Sequence, residues 1–169
     1  MFPILQESSA RVHGVDLSPQ MLSQAREHLA GYAERITLTE ADLSQYQFPT
    51  SARLIVSNFT LQFLPLESRL NLLQRAYESL EPGGILLLSE KFSPEESAER
   101  ALLTELHHTF KSSMGYSDLE IARKRDAIEN VLIPESSESH LQRLRDLGFQ
   151  TPVCWYQCFN FGSFLAIKE

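Results

Sequence analysis

Three polar residues have side chains and positions that suit the binding of a small ligand: Asp16, Asp42 and Asn58. Each stands at, or just beyond, the end of a short segment of β-forming apolar residues. If these segments are parallel strands, their carboxyl ends share one edge of a sheet, where open α/β sheets bind ligands. A carboxylate at that edge can accept hydrogen bonds from two ribose hydroxyls, as in dinucleotide-binding folds. A nucleoside is therefore one ligand that these positions suit.

Each of the three residues also has a purely structural interpretation. An acid after a strand often caps the next helix, but Ser18 suits that position better and leaves the carboxylate of Asp16 for a ribose. Asp42 can accept a hydrogen bond from the exocyclic amine of an adenine, or it can cap the turn at Ser44. Asn58 can orient a substrate or satisfy backbone amides of its loop, and taken alone the second role is favoured. The pattern leaves these alternatives open.

The other candidate residues lie on predicted helices and form no catalytic set. His107 and His108 are adjacent, and adjacent helical residues do not face the same way, so we predict no metal site. Lys124 and Arg125 belong to a face that is ordinarily solvated, unless it points into a cleft, where Arg grips carboxylates through two parallel hydrogen bonds. The sequence contains no P-loop, no Ser/His/Asp signature and no acid pair typical of glycosidases.

Apolar periodicity predicts the elements that position these residues. The predicted strands are 11–15, 36–40, 53–57 and 85–88, and the predicted helices are 19 to about 32, 66–80, 94–114, 117–129 and about 138–147. Pro82-Gly83-Gly84 is expected to end the second of these helices. The first strands alternate with helices, which indicates parallel βαβ units. The aromatic end of the chain predicts an antiparallel hairpin formed by 149–159 and 162–167.

Length and charge restrict the class of protein. The 169 residues predict a single domain, 1–169, with a helical insertion at about 94–133. The net charge of −7 argues against direct nucleic-acid binding, which depends on clustered Lys and Arg. The start of the chain lacks the basic and long apolar regions of a signal peptide, and no apolar run approaches the ~20 residues that span a membrane. We therefore predict a cytoplasmic protein without membrane contact.

Several strings of the sequence are specific enough to indicate a family. They include 56–64 (VSNFTLQFL), 88–93 (LSEKFS), 107–111 (HHTFK), 115–121 (GYSDLEI), 124–125 (KR), 129–131 (ENV) and 155–163 (WYQCFNFGS). From about Arg11 to the C-terminus, the chain resembles the carboxy-S-adenosyl-L-methionine synthases. Many S-adenosylmethionine enzymes share a fold, but few share these strings.

The resemblance implies an α/β fold of the class I methyltransferase (Rossmann-like) type and a homodimer. It implies conversion of S-adenosylmethionine and prephenate into carboxy-S-adenosylmethionine and phenylpyruvate, a product used to make 5-oxyacetyl-uridine at the tRNA wobble position. Residues that match the family's S-adenosylmethionine site are Asp16, Leu17, Asp42, Leu43 and Asn58. The family usually has Asn where this chain has Leu17, so a backbone contact survives there and a side-chain contact does not. Arg125 matches the residue that contacts the transferred carboxylate.

The resemblance also implies that a first strand and its glycine-rich loop are missing from this chain. In this fold that strand lies between the strands predicted at 11–15 and 53–57, and its loop approaches the methionine part of the cofactor. Its absence would leave two rows of unpaired backbone groups. We therefore expect an incomplete gene product or a strongly altered relative, which binds S-adenosylmethionine weakly or not at all and whose activity is reduced or lost.

Two functions compete with carboxyl transfer. One is a methyltransferase that acts directly on tRNA, against which the acidic balance of charges counts. The other is a non-catalytic dimerising fragment that pairs through its helices at about 94–133.

Overall fold

The structure, a computed structural model, describes residues 2–129 and 131–169, with side chains for all of them except Phe2 and 124–129. The chain divides into two compact units, Met1–Gln47 and Phe48–Glu169. The predicted single domain, 1–169, stays a prediction. No helix in the described part of the chain is both long and apolar enough to cross a membrane.

The first unit is a two-stranded parallel sheet with helices. Its elements are α1 (Phe2–Glu7), β1 (Val12–Asp16), α2 (Pro19–His28), a short 3-10 helix (Ala30–Arg35) and β2 (Ile36–Glu40). The two strands pair in parallel, from Val12 opposite Ile36 to Asp16 opposite Glu40. Helix α2 begins as predicted, with Ser18 as N-cap and Pro at its first position. It ends at His28, sooner than predicted, because the chain continues as a 3-10 helix in which Tyr32 is not helical.

The second unit holds a four-stranded mixed sheet. Its elements are β3 (Ala52–Asn58), a 3-10 turn (Leu61–Phe63), α3 (Leu66–Ser79), β4 (Leu80–Lys91), α4 (Ser97–Ser113), α5 (Asp118–Glu129), α6 (Ser137–Asp146), β5 (Phe149–Cys158) and β6 (Phe161–Lys168). The strand order is β3-β4-β6-β5, with β3 parallel to β4 and the other pairs antiparallel. The predicted terminal hairpin is confirmed as β5 and β6.

Strand β4 differs from the prediction. The prediction that Pro82-Gly83-Gly84 ends a helix was wrong, because α3 already ends at Ser79 and β4, which begins at Leu80, includes these residues. The backbone at Gly83 has a φ of +77°, and the pairing with β3 shifts register between Ala52 and Leu54. The glycines therefore form an irregularity inside the strand, which glycine tolerates well.

Strands β1 and β3 each have a single strand partner in the described part of the chain. β1 pairs with β2, and β3 pairs with β4, so each keeps one edge without a strand beside it. On β3, the apolar side chains of Leu54 and Val56 are also exposed on one face of the strand.

Candidate functional site

Asp16 lies at the carboxyl end of β1, and its carboxylate is already used in part by the backbone. Oδ1 accepts a hydrogen bond from the backbone N–H of Ser18 at 2.8 Å, while the Ser18 hydroxyl caps α2 by accepting from the Met21 amide at 3.3 Å. Ser18 is therefore the N-cap of α2, as predicted, and one oxygen of Asp16 is used in the turn before the helix. Among the described residues, none donates to Oδ2, which leaves that oxygen as an acceptor for a ligand.

Asp42 lies beside the same end of the parallel sheet. The preceding Ala41 donates its amide to the Asp16 carbonyl at 3.2 Å, which fixes the exit of β2 against β1. Oδ1 of Asp42 accepts from the Ser44 amide at 2.8 Å. Hydrogen bonds from the backbone and then the hydroxyl of Ser44 lower the pKa of the Asp42 carboxyl. The predicted turn cap at Ser44 is therefore confirmed, and the exposed carboxylate is ionised at neutral pH.

A leucine follows each of these acids. The Leu17 side chain is 67% exposed, and Leu43 is half-buried. Large apolar side chains at such a position are available to pack against the flat face of a base. The first unit thus places two carboxylates and two leucines at the carboxyl end of β1 and β2.

Asn58 ends β3 in the second unit, opposite Ser89 of β4. Its carbonyl accepts from the Thr60 hydroxyl at 3.1 Å. Its exposed side-chain amide has no hydrogen-bond partner among the described residues. The sequence alone favoured a structural role for Asn58, in which its side chain satisfies backbone amides of the loop. The structure shows that the side chain does not do this. The side chain is free to contact a ligand.

Glu90, on β4, holds the loop that follows Asn58. Its carboxylate accepts from the backbone amides of Thr60 at 3.0 Å, Leu61 at 2.8 Å and Gln62 at 3.1 Å. Burial raises the pKa of this fully buried carboxyl, and the three amides and Arg69 oppose the shift. Sequence analysis did not single out Glu90. Its signal was an acid two residues after the apolar run 85–88, on the same face of the strand as the buried Leu86 and Leu88.

Arg69, on α3, ties the same loop to the segment that leaves α5. Its guanidinium donates two hydrogen bonds to the Leu64 carbonyl, from Nε at 3.0 Å and from Nη2 at 2.9 Å. Nη2 also donates to the Ile133 carbonyl at 2.7 Å, and Nη1 donates to Oε2 of Glu135 at 2.5 Å. Ile133 in turn donates its amide to the Gln62 carbonyl at 2.9 Å. This fully buried arginine therefore fixes two segments against each other, and the sequence pattern did not reveal it.

The predicted carboxylate-binding residue, Arg125, belongs to α5, but its side chain lies outside the described residues, as does that of Lys124. Helix α5 begins with a capping box, in which Ser117 and Glu120 exchange hydrogen bonds. Between α5 and α6, Ile133 and Glu135 contact Gln62 and Arg69. The exit of the helix that carries Arg125 is thus fastened to the loop that follows Asn58.

The structure places His107 against aromatic rings. Among the described residues, no three His, Cys, Asp or Glu side chains come close enough to hold a metal ion. The His107 ring instead stacks on Phe159, with ring centroids 5.7 Å apart. Burial lowers the pKa of His107 to about 4, and the nearby Lys111, Lys91 and His108 add to that effect. His107 is therefore a neutral ring at pH 7.

Similarity to solved structures defines the class of the fold. The chain resembles an O-methyltransferase family 2 protein from Planctomyces limnophilus DSM 3776, solved with apigenin (TM-score 0.69, 21% identity, 98% of this chain and 45% of that one). It also resembles human N-acetylserotonin methyltransferase, solved with S-adenosylmethionine (TM-score 0.62, 21% identity, 94% and 40%). At these identities the likeness establishes the fold alone, which is that of the S-adenosylmethionine-dependent methyltransferases. The predicted fold class is confirmed.

Sequence similarity identifies the family within that class. A family model described as a methyltransferase domain matches residues 1–84. The chain is 45% identical to the carboxy-S-adenosyl-L-methionine synthase of Vibrio parahaemolyticus serotype O3:K6 (strain RIMD 2210633) and 46% identical to that of Aeromonas salmonicida (strain A449). These matches cover 97% and 98% of this chain and 67% of each relative. The chain therefore belongs to the carboxy-S-adenosyl-L-methionine synthase family. This confirms the predicted family, the transferase class of enzyme and S-adenosylmethionine as its cofactor.

Proposed function

We propose that this protein transfers a carboxyl group from prephenate to the methyl carbon of S-adenosylmethionine, releasing phenylpyruvate and one water, which forms from the proton lost by the methyl group and the hydroxide lost by the prephenate ring. The observation that carries the proposal is the 45% identity, across 97% of the chain, to a relative named for the product of that reaction. The product serves formation of 5-oxyacetyl-uridine at the tRNA wobble position. We place the reaction in the cytoplasm, where tRNA is modified, and expect no direct contact with tRNA because the net charge is −7.

The first unit has the acceptors that the adenosine part of S-adenosylmethionine requires. Oδ2 of Asp16, which accepts no hydrogen bond from the described residues, suits a ribose hydroxyl. The exposed carboxylate of Asp42 suits the exocyclic amine of adenine, and its turn with Ser44 holds it in place. Leu17 and Leu43 flank the base, and a contact from the backbone of Leu17 survives the change from the Asn that the family usually has there. The residues present therefore fit this part of the ligand.

The reactive part of the ligand requires a polar group and a cation. When bound, S-adenosylmethionine supplies a sulfonium whose positive charge acidifies the attached methyl group, so that its carbon can accept a carboxyl group. We assign Asn58, whose side chain has no partner among the described residues, to orient the reacting groups. We assign Arg125 to bind the transferred carboxylate through two parallel hydrogen bonds. The chain would thus provide proximity and a cation for the new charge.

A homodimer is the second part of the proposal. Leu102 and Leu106 lie four residues apart on α4, Met114 caps the end of the helix eight residues later, and all three side chains are exposed. Residues at this spacing share a face of the helix, so they form an apolar stripe that water contacts in the single chain. A second copy of the chain that packs against this stripe would bury it.

Product identification tests the proposed reaction. The 169-residue chain is incubated with millimolar S-adenosylmethionine, so that weak binding does not hide turnover, and with prephenate labelled with ¹³C in its ring carboxylate. We expect the label in carboxy-S-adenosylmethionine, detected by mass spectrometry, and its loss in Arg125→Ala. Methyl transfer to tRNA, with no labelled product, would favour the competing methyltransferase instead.

A further inference from the structure

Five rings from three parts of the second unit meet beside Asn58. Besides its stacking on Phe159, His107 meets Phe161 edge to face, with centroids 5.0 Å apart. Phe110 packs against Phe159 at 5.6 Å, and Phe59 packs against Phe161 at 5.9 Å. We call this group the His107 cluster: Phe59, His107, Phe110, Phe159 and Phe161. Phe59 directly follows Asn58, so the cluster adjoins a residue of the proposed site.

Two members of the cluster adopt a backbone conformation that a phenylalanine normally avoids. Phe59 has a φ of 54° and Phe159 a φ of 51°, in the left-handed region where glycine is preferred. Phe159 opens the two-residue turn of the β5–β6 hairpin, at a position that glycine usually fills. Large rings at strained positions cost free energy, and such strain concentrates at functional sites. The positions therefore indicate that the rings themselves are needed.

The cluster is open to solvent. The side chains of Phe59 and Phe110 are 44% and 48% exposed, although each touches another ring of the group. A set of rings that served only the core would be covered. The cluster instead presents an aromatic surface on which a flat, unsaturated ligand can stack.

The charges around the cluster are basic. Lys91 lies directly opposite Phe161 in the β4–β6 ladder, so the two side chains share a face of the sheet. No carboxylate of the described residues lies within ion-pair distance of the Lys91 ammonium. Lys91, Lys111 and His108 all act on His107, which is itself neutral at pH 7. An aromatic surface next to an ammonium group without an acidic partner complements an unsaturated carboxylate.

We propose that the His107 cluster and Lys91 form the binding site for the carboxyl donor, a small carboxylate with an unsaturated ring. The ring stacks on the cluster, and Lys91 pairs with the carboxylate that is not transferred, which leaves the reacting carboxyl group toward Asn58. This inference rests on the proposed carboxyl transfer. It implies that phenylpyruvate, which keeps the ring and the second carboxylate, binds at the same place.

Steady-state kinetics with prephenate test the site. We expect Phe110→Ala and Lys91→Met each to raise KM for prephenate roughly ten-fold and to leave KM for S-adenosylmethionine unchanged. Both side chains are partly exposed, so neither substitution empties the core. The matched control is Leu70→Ala on α3, an apolar side chain that is also 48% exposed but lies outside the cluster. KM values for prephenate within two-fold of wild type in both variants would overturn the assignment.

Phenylpyruvate binding separates this inference from the proposed reaction. Titration of phenylpyruvate into the ¹⁵N-labelled chain, followed by amide NMR, needs no turnover and no S-adenosylmethionine. If the wild type makes no carboxylated product but binds phenylpyruvate, and Phe110→Ala and Lys91→Met lose that binding, the site stands and the proposed reaction falls. If the wild type makes the product while both variants bind phenylpyruvate normally, the reaction stands and the site falls. Without product and without phenylpyruvate binding, both fall.

Discussion

Replacing Arg69 with Met will lower the free energy of unfolding of the second unit by about 3–5 kcal/mol. Met keeps much of the apolar stem of the side chain but leaves the carbonyls of Leu64 and Ile133 without the donors they now have. It also removes one of the two guanidinium partners of the Glu135 carboxylate. Because Arg69 is fully buried, water cannot replace those hydrogen bonds without opening the structure. Urea unfolding, followed by the fluorescence of the single Trp155 in this unit, measures the change.

Arg145→Met is the matched control for that experiment. Arg145 pairs with Glu138 at 2.7 Å, but the two side chains are 43% and 67% exposed. Exposed ion pairs contribute about 0–1 kcal/mol, so the control should unfold nearly as the wild type does. A free energy of unfolding for Arg69→Met within about 1 kcal/mol of the control would contradict the role assigned to Arg69.

Acid will destabilise the second unit through His140. Its side chain is only 2% exposed, it packs against Phe164, and neither ring nitrogen has a hydrogen-bond partner among the described residues. Burial lowers its pKa to about 4; Glu135 opposes the shift, and Arg143 and Arg69 add to it. The unfolded chain therefore takes up a proton near pH 6.5, whereas the folded chain does so only near pH 4. The contribution of His140 to the free energy of unfolding is therefore fully present above pH 6.5, and it falls by about 3 kcal/mol as the pH drops to 4.

The pH profile of His140→Leu isolates this effect. Leu has no charge to take up and no buried nitrogen to satisfy, so the variant should be at least as stable as wild type at pH 7. Between pH 6.5 and 4 it should lose less stability on acidification than the wild type does. His28→Gln, which removes an exposed histidine of α2 and keeps His140, should retain the wild-type profile of Trp155 unfolding. Parallel wild-type and His140→Leu profiles would show that His140 does not govern the acid response.

Local sequence patterns predicted most of the elements but not how distant segments meet. Strand β2, the capping box of α5 and the terminal hairpin follow from apolar spacing and turn residues, which act over a few positions. Pro82-Gly83-Gly84 was misplaced because these residues interrupt a strand as readily as they end a helix. Glu90 and Arg69 escaped notice because their partners lie about 30 and 65 residues away in sequence, where no local pattern reaches.

The strand ends that carry the candidate residues were predictable, but the hydrogen bonds of those residues were not. Acids at the ends of strands correctly marked the carboxyl edge of the β1–β2 sheet, because that edge is where parallel strands present ligands. Ser18 caps α2 as predicted, but the hydrogen bond from its amide to Asp16 was not foreseen, because an acid that does not cap a helix can still accept a backbone amide two residues further on. The His107 cluster was also missed, because the hairpin turn, α4 and the loop after β3 meet only in the folded unit.

The most direct test of the account is an amide NMR titration of S-adenosylmethionine into the ¹⁵N-labelled chain, which registers even weak binding. We expect saturable shifts of the amides from Asp16 to Ser18 and from Asp42 to Ser44. Asp16→Ala should weaken binding ten-fold or more, while Glu27→Ala, an exposed acid on α2, should not. A Kd in the micromolar range would overturn the expectation of weak binding. The absence of saturable shifts, or shifts elsewhere that Asp16→Ala leaves intact, would contradict the adenosine site itself.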